Sequence, residues 1–148
     1  CLLMLEKYVK ENMDVLDVGC GSGILSVASI LLGAKSATGV DIDEIAVKTA
    51  KENAKINNVL DRFNAIHGNL TDKVSGKFDI VVANIVADAI INLTSNIENY
   101  LGKDSIYITS GIIDSRENEV VKALSNSFNI IEKIEKNGWV CIAAKLKG

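Results

Sequence analysis

The sequence predicts an α/β fold with a doubly wound, mostly parallel seven-stranded sheet that ends in an antiparallel hairpin. From residue 15 to residue 127, short apolar runs alternate with segments of helical period, which is the pattern of repeated βαβ units. A glycine-rich turn joins the first apolar run to the first such segment. Near the C-terminus, Asn137 and Gly138 separate two apolar runs, and an Asn-Gly pair in that setting indicates a hairpin. Helices are therefore expected on both faces of the sheet.

Each predicted strand is a short apolar run bounded by glycine or polar residues. The strands cover residues 15–18, 37–41, 63–67, 78–83, 105–109, 130–134 and 139–144. Helices are predicted at residues 1–10, 24–32, 44–57 and 117–127, with a further one that carries apolar residues from Ile90 to Leu101.

Several residues indicate where these helices begin and end. In the helix at 24–32, apolar residues recur with helical spacing at Ile24, Val27, Ala28 and Leu31. Gly33 closes that helix, and Asp43 is placed to cap the next one. Asp114 and Glu117 resemble a capping box at the start of the last helix.

Composition fits one domain over residues 1–148, since a chain of this length, 48% hydrophobic, can bury roughly 70% of its unfolded surface. The net charge of −3 is spread without a lysine or arginine cluster, which argues against a direct nucleic-acid partner. No apolar run approaches the roughly 18 residues of a membrane helix. The three cysteines lack metal-ligand spacing, which predicts no metal site and is typical of the cytoplasm.

Residues 15–23 combine a short apolar strand, a glycine turn and the start of a helix. Gly19, Gly21 and Gly23 stand at every second position, so backbone N–H groups can approach a ligand at the positive end of the helix. Asp41 ends the second strand, where a carboxylate is placed to accept hydrogen bonds from ribose hydroxyls. The ligand is therefore predicted to contain a nucleoside.

The glycine spacing separates two kinds of nucleoside cofactor. Dinucleotide-binding turns read G-x-G-x-x-G, whereas this one reads G-x-G-x-G with Asp17 two residues before the first glycine. This arrangement resembles the first motif of the Rossmann-like methyltransferases, whose cofactor is S-adenosylmethionine. By that resemblance, the cofactor contacts include Asp17, Cys20 through its backbone, Asp41 and Ile42 as well as the three glycines.

In a doubly wound sheet, ligands bind outside the carboxyl ends of the central strands. Asn69 and Leu70 follow the third strand and are expected to meet the adenine ring. Asn84 follows the fourth strand and is expected beside the transferred methyl, as a cofactor contact and as the catalytic residue that orients the acceptor amine. Asp88 is a weaker candidate for a proton acceptor, because an acidic residue in a first helical turn is explained by the helix dipole. His67 has no partners at ligand spacing and is interpreted as structural.

Segments along nearly the whole chain resemble motifs of the PrmA family of ribosomal protein methyltransferases. They are GCGSGIL at 19–25, GVDID at 39–43, ANIVAD at 83–88, SGII at 110–113 and WV at 139–140. The resemblance implies trimethylation of lysine and N-terminal amines on the eleventh protein of the large ribosomal subunit. It also implies that Gly19, Asp41 and Asn84 are cofactor contacts.

The same resemblance implies two parts that do not occur in these residues. One is an N-terminal domain that holds the ribosomal substrate, and the other is a threonine-bearing loop that contacts the cofactor. We therefore expect a catalytic domain that works in the cytoplasm on a ribosomal protein partner. Trp139 is expected either at an interface with the other domain or at the edge of the core.

Other functions stay open from the residues alone. A nucleic-acid methyltransferase would place an aromatic residue after Asn84 to stack a flipped base, and Ile85 and Val86 are unsuited to that; a small-molecule amine is not excluded in this way. A nicotinamide-dependent dehydrogenase is disfavoured by the glycine spacing. The chain is also interpretable as a cofactor-binding module that does no chemistry without its partner domain.

Overall fold

The computed structural model describes residues 1–69 and 71–148. Its strands are β1 (Asp14–Val18), β2 (Ser36–Asp41), β3 (Phe63–His67), β4 (Phe78–Asn84), β5 (Leu101–Ile113), β6 (Phe128–Lys136) and β7 (Trp139–Leu146). Its α-helices are α1 (Leu2–Tyr8), α2 (Ile24–Leu31), α3 (Glu44–Ile56), α4 (Ala87–Ile97) and α5 (Glu117–Leu124). Short 3₁₀ turns lie at Leu60–Arg62, Glu98–Tyr100 and Asp114–Arg116.

The strands form one seven-stranded sheet in the order β3-β2-β1-β4-β5-β7-β6 across the described residues. Strands β1 to β5 run parallel to one another, whereas β7 runs antiparallel to both β5 and β6. The chain moves outward from β1 to β3 and then returns to place β4 on the other side of β1. This reversal puts the switch point at the carboxyl ends of β1 and β4, and the predicted architecture is confirmed.

The sheet separates two hydrophobic cores, so both of its faces are covered. Helices α1, α2 and α3 pack on one face, and α4 and α5 pack on the other. Strand β4 contributes alternate residues to each core, which is why its sequence is a continuous apolar run. The β4 residues with 0% exposure are Ile80, Val81, Val82 and Ala83.

The connection from α4 to β5 differs from the prediction. Helix α4 ends at Ile97, and Leu101, which was predicted on the helix, opens β5 opposite Phe78. Strand β5 extends over 13 residues, well beyond the predicted 105–109. The reason is tertiary: β5 pairs with β4 at residue 101 and again from 106 to 110, and it pairs with β7 between 107 and 113, so pairing at its two ends extends it beyond its apolar centre.

Helix α2 is confirmed, but part of the repeat that predicted it lies on the outer surface. Ile24 and Leu31 are 59% and 61% exposed. The buried side instead includes Ser26 and Ser29, whose hydroxyls donate to Asp17 and to the Leu25 carbonyl. Since these bonds satisfy both serines, polar residues take core positions and apolar ones are left outside.

The helix ends agree only in part with the predicted signals. Asp43 caps α3 by accepting a hydrogen bond from the Ile45 amide at 2.9 Å, as predicted. Gly33 follows the end of α2 with φ +118°, also as expected. The predicted capping box is wrong: Asp114 starts a 3₁₀ turn, and α5 begins at Glu117 without a side-chain cap.

Among the described helices, none is long and apolar enough to cross a membrane.

Candidate functional site

The glycine loop between β1 and α2 is held by its neighbours in a backbone shape that favours glycine. Gly19, Gly21 and Gly23 have φ of +71°, +54° and +80°, where other residues are strained. A Cβ atom on Gly23 would lie 2.9 Å from the Ala50 Cβ, so this glycine allows α3 to approach. A Cβ atom on Gly21 would meet nothing within 4 Å, so the loop backbone is open to a ligand there.

Asp41 lies beside this loop at the end of β2. One of its carboxylate oxygens accepts from the Gly21 amide at 2.8 Å, and the other accepts from the Asp43 amide at 2.9 Å. Two backbone donors therefore fix the carboxylate, while each oxygen keeps a further lone pair for a ligand hydroxyl. The loop is tied to the same strand because Gly19 and Cys20 donate to the Val40 carbonyl.

A cavity of about 500 Å³ opens at the switch point, and we call it the first cavity. Its lining includes four of the predicted cofactor contacts, Gly19, Asp41, Ile42 and Asn69. Leu70, the remaining residue predicted at the adenine, lies outside the described residues. The first cavity is also lined by residues that sequence reasoning missed, which are Val40, Ile85, Val86, Ala89 and Asn92. The last three recur every third position, and this helical stripe was the available signal.

A second cavity of about 450 Å³ lies next to the first. It is lined by Asn84, Ile85, Val86, Ser110, Gly111 and Trp139. Ile85 and Val86 line both cavities and form the wall between them. Asn84 is therefore placed among the residues of the second cavity, which agrees with a role toward the acceptor. Its predicted contact with the cofactor stays a prediction.

Trp139 is 55% exposed and lines the second cavity, so it is not a core residue. It reaches the site from β7, which pairs with β5 opposite Ile113. No aromatic residue directly follows Asn84 in the chain, and the ring that lines the same cavity comes instead from an antiparallel strand.

Four of the predicted contacts line neither cavity, namely Asp17, Cys20, Gly21 and Gly23, and the side chains of Asp17 and Cys20 are buried. Asp17 is 1% exposed, and its carboxylate accepts the Ser26 hydroxyl at 2.8 Å. The Cys20 thiol is packed toward Gly39, and burial raises its pKa to about 12. The structure places both side chains where they support the loop, and a direct ligand contact by either residue stays a prediction.

Burial makes Asp17 a source of pH-dependent stability. Desolvation raises its pKa from 3.8 to about 6, so the folded chain retains a proton that the unfolded chain releases. The free energy of unfolding is expected to fall as pH rises from 4 to 6, by roughly 3 kcal/mol, and then to level off. Asp17→Asn should remove this fall and raise the melting temperature at pH 7, because the amide oxygen still accepts the Ser26 hydroxyl without a buried charge.

Thermal unfolding of both proteins between pH 4 and pH 8 measures this effect. The matched control is Asp14→Asn, since Asp14 also accepts a serine hydroxyl, from Ser36 at 2.7 Å, but is only partly buried. In the control, the melting temperature should change with pH in the same way as in the parent protein. An unchanged slope in Asp17→Asn would show that another group titrates in this range.

Asp88 and His67 also lie outside the two cavities. Arg116 donates to the Asp88 carboxylate, which forms an exposed ion pair between α4 and the turn before α5. This geometry favours a surface role for Asp88 over proton transfer. The His67 ring nitrogen Nε2 lies 2.9 Å from the Ile42 carbonyl, in agreement with the structural interpretation of this histidine.

The chain is similar to known proteins along nearly its whole length. The family model described as "Ribosomal protein L11 methyltransferase (PrmA)" matches residues 1–147. Two relatives named ribosomal protein L11 methyltransferase are similar to this chain over 148 residues. The one from Clostridium botulinum (strain Eklund 17B) is 49% identical to this chain, and the one from Clostridium perfringens (strain 13) is 48% identical. Each match covers 99% of this chain and 47% of the relative. The chain thus spans about half the length of these curated relatives.

Solved structures are also similar to this chain. The crystal structure of the ribosomal protein L11 methylase from Lactobacillus delbrueckii subsp. bulgaricus matches with a TM-score of 0.95 and 35% identity, over 99% of this chain and 77% of that one. The structure of M. capricolum TrmK with S-adenosylhomocysteine matches with a TM-score of 0.80 at 18% identity, over 99% of this chain and 67% of that one. The second likeness shows the fold alone. By the match along its whole length, the chain belongs to the PrmA family of ribosomal protein L11 methyltransferases.

Proposed function

We propose that residues 1–148 form an S-adenosylmethionine-dependent methyltransferase domain that methylates amines of a ribosomal protein. One observation carries the proposal: two cavities share the wall formed by Ile85 and Val86. The glycine loop borders the first cavity, and the Asn84 amide borders the second. A methyl donor and an acceptor in these cavities would meet at the shared wall.

The residues of the first cavity fit the proposed cofactor. The fixed carboxylate of Asp41 suits two ribose hydroxyls. Gly21 does not line this cavity itself, but its open backbone in the adjoining loop leaves room for a polar amino-acid group. Ile42 is 67% exposed beside Asp41 and offers an apolar surface for the adenine, with the Asn69 amide nearby to recognise its edge. When bound, S-adenosylmethionine supplies a methyl group on a positively charged sulfur.

The second cavity fits a neutral amine on an aliphatic chain. Its described lining residues include no charged side chain. A lysine amine, with a pKa near 10.4 in water, loses its proton more readily where burial disfavours the charged form. The Asn84 carbonyl oxygen can accept an N–H from that amine and direct the nitrogen lone pair toward the shared wall. Trp139 offers an apolar face to the methylene chain.

The relatives indicate which protein carries the amine. The curated relatives are named for ribosomal protein L11, and we propose its lysine and N-terminal amines as the acceptors. Such a substrate places the reaction in the cytoplasm. Because the relatives are about twice as long as this chain, we expect part of the substrate recognition to lie in a further domain.

Two measurements, a titration followed by a labelling reaction, test the proposal. Isothermal titration with S-adenosylhomocysteine should show binding, and the same titration with NADH should show none. Incubation with S-adenosyl-[methyl-³H]methionine and purified ribosomal protein L11 should then label that protein, whereas L11 with acetylated amines should stay unlabelled. NADH binding would contradict the cofactor. Cofactor binding without labelling of L11 would favour an isolated cofactor-binding module.

A second candidate acceptor is a nucleic-acid base, and the position of Trp139 favours it. An aromatic ring beside an asparagine is the arrangement that enzymes use to stack and orient a flipped base. An unmodified tRNA transcript in the same labelling reaction tests this alternative. Label in the transcript and none in L11 would replace the protein substrate.

A further inference from the structure

Gly111 lies where β5 leaves its regular pairing with β7. The β5–β7 register shifts between Thr109 and Ile112, while Ser110 stays opposite Asn84 on the other side of β5. Gly111 has φ +78°, a conformation that other residues seldom adopt. This irregularity turns the backbone of residues 110–111 toward the second cavity, which both residues line.

The missing side chain of Gly111 leaves room for Asn84 and Ile85. A Cβ atom on Gly111 would lie 2.9 Å from the Asn84 Oδ1 atom, 2.8 Å from the Ile85 carbonyl oxygen and 3.2 Å from the Ile85 nitrogen. Distances below about 3.0 Å are shorter than carbon–oxygen van der Waals contact, so something must move. The Ile85 amide also donates to the Ser110 carbonyl at 3.2 Å, which restricts how far that backbone can retreat.

We infer that Gly111 is a positioning residue of the acceptor site, which sets the location of the Asn84 amide by having no side chain. The inference rests on the proposed function. A methyl group at this position would press on the Ile85 carbonyl oxygen and on the Asn84 Oδ1 atom at the same time. The Ile85 backbone is held by its bond to Ser110, so the Asn84 side chain has to give way as well. Gly111 itself does not line the first cavity. A substitution should therefore disturb the acceptor amine more than the cofactor.

The variant Gly111→Ala tests this with two kinds of readout. The kcat for methylation of L11 is expected to fall by roughly 10²-fold, a loss that misplacing a reacting group by about 1 Å can cause. The dissociation constant of S-adenosylhomocysteine should change less than about threefold, because the groups that hold the ligand stay in place. The matched control is Gly76→Ala, since Gly76 has φ +94° and open space around the added methyl. The control separates backbone strain from contact with Asn84.

The double variant Gly111→Ala with Asn84→Ala separates positioning from general damage. If Gly111 acts through Asn84, the double variant should lose no more activity than Asn84→Ala alone. If the fold-loss of activity in the double variant equals the product of the fold-losses in the two single variants, the inference is overturned, because Gly111 then acts independently of Asn84.

A measurement without catalysis keeps the inference separate from the proposed function. The ¹⁵N–¹H signals of the Asn84 side-chain amide are identified by their loss in Asn84→Ala. They should shift in Gly111→Ala and stay in place in Gly76→Ala. Unchanged signals in Gly111→Ala would overturn the inference. Shifted signals in a protein that labels no L11 would support the positioning contact while contradicting the proposed substrate.

Discussion

Replacing Asn84 with alanine is expected to lower kcat for methylation of ribosomal protein L11 by roughly 10²-fold, because the amine loses the oxygen that orients it. The affinity for S-adenosylhomocysteine should change far less. Asn84 lines the second cavity, whereas the ligand groups that we assign to the cofactor lie in the first. The measurement is a pair of titration and steady-state labelling experiments on the same protein preparation.

The matched control for this prediction is Asn129→Ala on the edge strand β6, where the side chain is exposed and remote from both cavities. Its kcat and affinity should equal those of the parent chain. Equal losses of rate and affinity in Asn84→Ala would mean that Asn84 serves the cofactor alone. The acceptor role would then pass to other residues of the second cavity.

Replacing Asp41 with alanine is expected to weaken S-adenosylhomocysteine binding by about 1–3 kcal/mol, or roughly 5- to 150-fold in dissociation constant. The substitution removes the proposed charge-assisted bonds to the ribose. It also releases the amides of Gly21 and Asp43, which the carboxylate holds at 2.8 Å and 2.9 Å. The glycine loop therefore loses an anchor as well as a ligand group, which places the expected effect toward the larger value.

The neighbouring carboxylate offers a matched control for Asp41. Asp43 also accepts a backbone amide, that of Ile45, but caps α3 and does not line the first cavity. Asp43→Ala should lower the free energy of unfolding by about 0.5–2 kcal/mol and leave the affinity unchanged. Unchanged affinity in Asp41→Ala would show that the ribose binds elsewhere.

Much of the site was predictable because a parallel sheet brings the ends of distant strands together. Asp41 ends β2 and Asn69 follows β3, and the switch-point rule places both at one edge of the sheet, where they line one cavity with Gly19. Local spacing also predicted the Asp43 cap and the glycine loop, since both depend on contacts within a few residues.

The errors in the length of β5 and in the buried face of α2 share one physical cause. Contacts with residues that are distant in the chain determined both features, and the local sequence pattern does not contain those contacts. Strand β5 reaches from Leu101 to Ile113 because β4 pairs with its first residue and β7 pairs with its last one. Helix α2 buries serines whose hydroxyls find acceptors in the core and leaves Ile24 outside.

By itself, the sequence determined the order of strands and helices, the glycine loop and the acidic residue that faces it, because these follow from short-range periodicity and spacing. Only the tertiary structure decided that two cavities share the wall of Ile85 and Val86, and that Gly111 and Trp139 join Asn84 at the second one. Those residues meet because an antiparallel strand returns beside β5, with a shift in register that short-range pattern does not encode.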